Sequence, residues 1–119
     1  MPSTDNRQRY DLQIYRGADF IKDAWFKIRN PQTGELGPYD LTGFTAKAQI
    51  RPSENSRFLT QDIRCDITPA EGRLQLSILC TDTEKIPPGI YVWDLKLDQE
   101  SGVSYYVYGK VFVEGRVTE

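Results

Sequence analysis

Phe44-Thr45-Ala46-Lys47-Ala48-Gln49-Ile50-Arg51 alternates without a break. Phe44, Ala46, Ala48 and Ile50 share one side, and Thr45, Lys47, Gln49 and Arg51 share the other. A period of two sustained in this way belongs to a strand with one face in a core and one in water. The same period recurs in both directions. Towards the C-terminus, Pro52 to Arg57 is polar and turn-forming, and Ile63, Cys65 and Ile67 then alternate with Arg64 and Asp66. Thr68-Pro69-Ala70-Glu71-Gly72 makes a tight connection, and Leu74, Leu76 and Ile78 alternate beyond it, which predicts a hairpin. Tyr91, Trp93, Leu95 and Leu97 mark the next strand, Asp98 to Gly102 turns, and Val103 to Val113 is the last strand.

Towards the N-terminus, Tyr10-Asp11-Leu12-Gln13-Ile14-Tyr15 reads as the first strand, with Tyr10, Leu12 and Ile14 on one face. Arg16-Gly17-Ala18-Asp19 breaks it, and a longer strand is predicted from Phe20 to Arg29. Asn30-Pro31-Gln32-Thr33-Gly34 ends that strand with turn chemistry. Helical periodicity is confined to Thr81-Asp82-Thr83-Glu84, whose capping-box spacing predicts a single turn before Pro87-Pro88-Gly89 stops it. The whole is about seven strands at roughly ten-residue spacing, the pattern of an antiparallel sandwich or partly open barrel.

The 119 residues suit one domain. Residues 10–119 read as a single β-sandwich and the polar residues 1–9 as an N-terminal arm. A net charge of −2 supplies no basic field for nucleic acid or an anionic membrane, so neither is an expected partner. No apolar run approaches the roughly 18 residues of a membrane span, and no hydrophobic stretch follows Met1 to Arg7 as in a secretory signal. Synthesis in a reducing host cytoplasm is the matching expectation.

The chain contains no histidine, which removes Ser-His-Asp and Cys-His nucleophiles, histidine bases and histidine-containing zinc sites. With Cys65 opposite about residue 76, Cys80 falls on the order of 13 Å away, too far for a disulfide. One or both cysteines therefore read as small buried hydrophobes. The scattered aspartates follow no calcium-loop pattern and read as solvated surface. No catalytic, cofactor or metal site is expected, and the chain is not read as an enzyme.

Aromatic residues make up 12% of the chain, and their placement on strands is informative. In the last strand Tyr105, Val107, Gly109, Val111 and Val113 form one face, leaving Tyr106, Tyr108, Lys110 and Phe112 on the other. In the strand from Phe20, the residues Phe20, Ala24, Phe26 and Ile28 suit the core, leaving Ile21, Asp23, Trp25 and Lys27 outside. Trp25, Tyr106, Tyr108 and Phe112 are thus the candidate partner interface, because exposed aromatics anchor protein contacts. The bland alternative is that loops or the arm of the same chain cover them.

Several of these segments resemble a known family. Tyr39-Asp40-Leu41-Thr42-Gly43-Phe44 through Arg51 is similar to the DLTGYTARMQIR segment of small tailed-phage proteins. It is preceded by Tyr10-Asp11-Leu12 with Arg16-Gly17-Ala18-Asp19-Phe20. Pro88-Gly89-Ile90-Tyr91-Val92-Trp93-Asp94-Leu95, the closing Tyr108 to Val113 and Val117-Thr118 follow it. In outline the chain also resembles the N-terminal domain of lactococcal-phage upper baseplate proteins. Lys22 departs from that pattern, as does the Tyr105-Tyr106-Tyr108-Phe112 cluster. The resemblance implies an immunoglobulin-like antiparallel β-sandwich located in the virion.

The expected function is a structural subunit of a tailed-phage particle, a tail or baseplate adaptor that attaches fibres or neighbouring tail proteins. Other virion proteins are its expected partners, with self-association as a further option and no cofactor. Capsid decoration and a host-surface carbohydrate-binding module, stacking sugars on Trp25, Tyr106 or Tyr108, are the alternatives.

Overall fold

A computed structural model describes residues 7–56, 58–102 and 104–115. The strands are β1 (Arg7–Arg9), β2 (Leu12–Tyr15), β3 (Phe20–Trp25), β4 (Lys27–Arg29) and β5 (Leu36–Pro38), followed by β6 (Phe44–Arg51), β7 (Gln61–Thr68), β8 (Arg73–Ile78), β9 (Gly89–Gln99) and β10 (Ser104–Glu114). A 3₁₀ turn at Pro69–Glu71 and one helical turn, α1 (Cys80–Thr83), complete the set. Seven of the strands are four residues or longer, in line with the expectation from periodicity; β1, β4 and β5 have three residues each.

The strands form two layers joined through β7. In the front layer β1 and β2 run parallel to β10 one after the other, and β9, β6 and the first half of β7 follow. β7 pairs with β6 at Gln61–Ile63 and with β8 from Arg64 onward, so it changes layer between Ile63 and Arg64. The back layer is the second half of β7, then β8, then β3. β4 and β5 form a separate hairpin between β3 and β6.

Three central front strands in the order β6-β9-β10 and three back strands in the order β3-β8-β7 reproduce the C-F-G and B-E-D sheets of an immunoglobulin-like sandwich. The Tyr91 hydroxyl donates to the Pro87 carbonyl at 2.6 Å, near the start of β9. A tyrosine bonded to backbone a few residues upstream marks this corner in such sandwiches. The fold is therefore an all-β, immunoglobulin-like sandwich.

Its core is what the alternation demands. Ala48 and Ile50 of β6, Leu74, Leu76 and Ile78 of β8, Trp93 and Leu95 of β9, and Val111 and Val113 of β10 interleave between the layers. Each fully buried aliphatic side chain contributes roughly 1.5–3 kcal/mol. A smaller cluster of Leu41, Phe44 and Leu97 fills one end under Phe26, Tyr39 and Tyr105. A hydrogen bond shared with Tyr39 and, to a lesser degree, burial push the Tyr105 hydroxyl pKa up to about 12.

Several sequence expectations are corrected. The strand predicted from Phe20 to Arg29 breaks at Phe26: its N–H donates to the Gly72 carbonyl at 2.7 Å, one more bond in the β3–β8 register, whereas its carbonyl accepts the Tyr39 N–H at 2.9 Å. Gly72 stands at φ +63°, and a Cβ there would lie 2.5 Å from the Phe26 carbonyl, so only glycine fits this crossing. Beyond the break, Ile28 leaves the sandwich on the β4–β5 hairpin and is exposed, not core. Tyr10 lies outside any strand. The helical turn starts one residue before Thr81, with Leu79 in the capping position. Its Cys80 N–H is bonded by the Asp19 carboxylate at 2.7 Å in place of a local cap.

Cys65 sits opposite Leu76, the register read from the hairpin. It is half-buried, and burial pushes its thiol up to about 11, whereas Cys80 is exposed; both are free thiols. Of the expected arm, Arg7–Arg9 belongs to the front sheet as β1. Residues 1–6 and the Val117-Thr118 pair lie outside the described residues.

Candidate functional site

The inward set of β10 fixes the outward one. Val111 and Val113 are buried between the layers and Gly109 lies beneath the chain crossing described below, so Tyr106, Tyr108, Lys110 and Phe112 project from the front face. Tyr106 and Tyr108, two residues apart on one strand, stack with ring centroids 5.9 Å apart and planes inclined by 22°. Tyr108 is 38% exposed and Tyr106 is half-buried. The Tyr106 hydroxyl donates to Asp94 Oδ2 at 3.3 Å across the β9–β10 pair.

Polar groups of β6 and β7 continue this face. Arg51 donates to the Gln49 side-chain oxygen, and Gln49 Nε2 donates to Asp62 Oδ1 at 3.2 Å. Gln49 and Arg51, with Glu54, Val92, Asp94 and the two tyrosines, enclose a shallow concavity of about 380 Å³. Apolar rings beside a network of amide, guanidinium and carboxylate groups make a surface able to anchor a partner and to fix its orientation.

The edge of the face is held from within. Between β1 and β2 the chain passes over Gly109, where any Cβ would overlap the Tyr10 carbonyl oxygen. Tyr10 N–H donates to the Tyr108 carbonyl at 2.8 Å, and the buried Trp93 indole donates to the Tyr10 carbonyl at 2.7 Å. Asp11 Oδ1 accepts the Lys110 N–H at 2.9 Å. That backbone hydrogen bond, aided by Arg9 and Lys110, holds the Asp11 carboxyl below its usual range. These bonds lock the β1–β2 segment against the strand that carries the tyrosines.

The four interface residues read from the sequence do not form one patch. Tyr106 and Tyr108 are together, and Phe112 is on the same face but further along β10, half-buried beside the exposed Ile90. Trp25 is on β3 in the back layer, 55% exposed, on the opposite side of the sandwich. The Arg73 guanidinium lies 5.5 Å from its ring centre, and Arg73 and Gln75 converge on Asp23 Oδ1 at 3.1 to 3.2 Å. Trp25 is thus partly covered by its own chain. Sequence reasoning missed Gln49, Arg51, Asp62 and Asp94, because alternation marks them only as outward and the strand order is needed to bring them beside the tyrosines.

No protein-family model matches the sequence, and no curated protein matches it. Among solved structures, the chain is similar to Listeria monocytogenes InlP at 12% identity and a TM-score of 0.47, covering 92% of this chain and 28% of that one. It is similar to the first Ig-like domain of human CD48 antigen at 10% identity and a TM-score of 0.41, covering 99% and 92% of the two chains. Murine CRIg is similar at 12% identity and a TM-score of 0.38, covering 89% and 92%. The fold class stands on the strand pairing itself.

Proposed function

We propose that this chain is a structural subunit of a tailed-phage particle, an adaptor of the tail or baseplate that attaches fibres or neighbouring tail proteins. The observation that carries the reading is the front face, where the Tyr106–Tyr108 stack stands beside the Asp94, Gln49 and Arg51 network on a rigid sheet. Tyrosines supply large contact area at low entropic cost, and a preformed sheet needs no ordering on docking. The ordered resemblance of segments from Tyr10 to Val113 to small tailed-phage proteins supports the same reading. Repetition of the subunit would let modest contacts add up to stable attachment.

Mass spectrometry of purified particles tests the proposal. Tens of copies per particle fit a tail or baseplate adaptor; hundreds would move the subunit to the capsid as decoration, and absence from particles overturns the reading. The Tyr106→Ser, Tyr108→Ser double variant should keep its melting temperature and fall about tenfold or more in incorporation. Unchanged incorporation removes this face from the interface. The concavity beside the tyrosines favours a second reading, a carbohydrate-binding module, which a glycan array on the wild-type and double-variant proteins tests directly.

A further inference from the structure

The sandwich is open along one side. β3 ends the back layer, and among the described residues no strand pairs with its outer edge. Alternate N–H and C=O groups of Phe20–Trp25 therefore point away from β8. Directly beside this edge, between β3 and the β1–β2 segment of the front layer, lies a cleft of about 450 Å³. Its lining includes Leu76, Trp93, Leu95 and Val107, so the core itself is its floor. This volume falls in the range of about 300–1,000 Å³ typical of ligand sites.

Lys22 defines what the cleft accepts. It pairs with Leu76 on the core-facing side of β3, between Phe20 and Ala24, where alternation calls for an apolar residue. Its ammonium lies 5.2 Å from the centre of the Tyr10 ring at the mouth, and among the described residues no carboxylate lies within ion-pair distance of it. Lys27 lines the same cleft.

We infer that the β3 edge receives an extended segment of a partner protein, added as a further strand of the back layer. Its alternate apolar side chains enter the cleft, and one acidic side chain meets Lys22. The unpaired edge asks for a strand, the apolar floor asks for period-two hydrophobic residues, and the exposed Lys22 ammonium at the mouth asks for a carboxylate. Charge disfavours a second copy of this chain in the central registers. Two-fold antiparallel pairing of two β3 strands centred on Lys22 or on Asp23 would set like charges opposite each other. The inference concerns the edge alone. Absence of the chain from phage particles would leave it standing, and failure at the edge would leave the particle reading standing.

The test is selection of a random peptide library on the immobilised full chain, followed by amide hydrogen exchange with the enriched peptide. The expected consensus alternates apolar residues around one Asp or Glu, and its binding protects the amides of Phe20–Trp25. Lys22→Glu should weaken that peptide about fivefold or more, and replacing its acidic residue with lysine should recover the loss. Ala24→Trp, which fills the cleft from β3 itself, should abolish binding while the far-UV spectrum and a cooperative melt show the sandwich still folded. A consensus without alternation, protection elsewhere on the molecule, concentration-dependent self-pairing through β3, or no enrichment would overturn the inference.

Discussion

The two sides of this sandwich are closed in opposite ways. On one side a single strand, β7, leaves the front sheet after Ile63 and enters the back sheet at Arg64, so backbone and ladder pass from layer to layer without interruption. On the other side, among the described residues, no strand is shared between the layers, and the chain passes from β2 to β3 through the turn at residues 16–19. β3 ends one sheet, β1 and β2 end the other, and the Lys22 ammonium beside the Tyr10 ring spans the gap between these edges. The shared ladder of β7 holds the first side by backbone hydrogen bonds. The second side depends on particular residues: a glycine that lets two strands cross, an aspartate that ties them, and a lysine that blunts the edge.

The sharpest way to break that contrast is Gly109→Ala. The new methyl would strike the Tyr10 carbonyl, and the β1–β2 segment would have to leave β10 or the sheet would have to deform. A loss of about 3 kcal/mol or more is expected in urea unfolding. A midpoint near the wild-type value would show that this crossing does not hold the open side. On the closed side, Ile63→Ala empties a buried position at the layer change and should cost about 2–4 kcal/mol with the cooperativity of unfolding retained.

A smaller effect separates charge from packing. Asp11→Asn should lower the melting temperature at neutral pH, because the ionised carboxylate is favoured by the Lys110 N–H. The folded pKa lies below the ordinary 3.8, so this contribution is complete above about pH 4 and is lost as pH falls through the lowered value. The gap between the two proteins should therefore close in acid; a constant gap in melting scans across pH would assign the effect to geometry. The smallest change in monomer stability is expected for Lys22→Val, within about 1 kcal/mol. Its consequence should appear in light scattering instead, as concentration-dependent association once the Lys22 charge is gone from the edge.

The closed side was also the legible side. β6 matches its alternating stretch residue for residue, and Cys65 faces Leu76 as the hairpin arithmetic placed it. Both follow from neighbours close in sequence and from a single buried face. The open side was read less well because its determinants are distant. Trp25 shares the outward parity of Tyr106, and parity within a strand says nothing about which sheet the strand joins. Phe26 and Ile28 continue the apolar alternation of β3, yet the Phe26 carbonyl accepts the N–H of Tyr39, beyond the β4–β5 hairpin, and the chain turns away there. Asp11 looked like one scattered acid among many until β10 was set beside it. Of the candidate face, the tyrosines could be found by alternation, whereas Asp94, Gln49 and Arg51 needed the order of strands.

The parallel alignment of β1 and β2 with β10 has a mechanical consequence. A pull applied before Arg7 and after Glu114 draws these strands past each other along their length. The load then falls in shear on paired positions at both Arg7–Arg9 and Leu12–Tyr15, which must give way together instead of peeling one by one. Held through its two chain ends, the domain is built to resist tension along that line, and its lifetime under load would be set by the rate at which this terminal clasp ruptures.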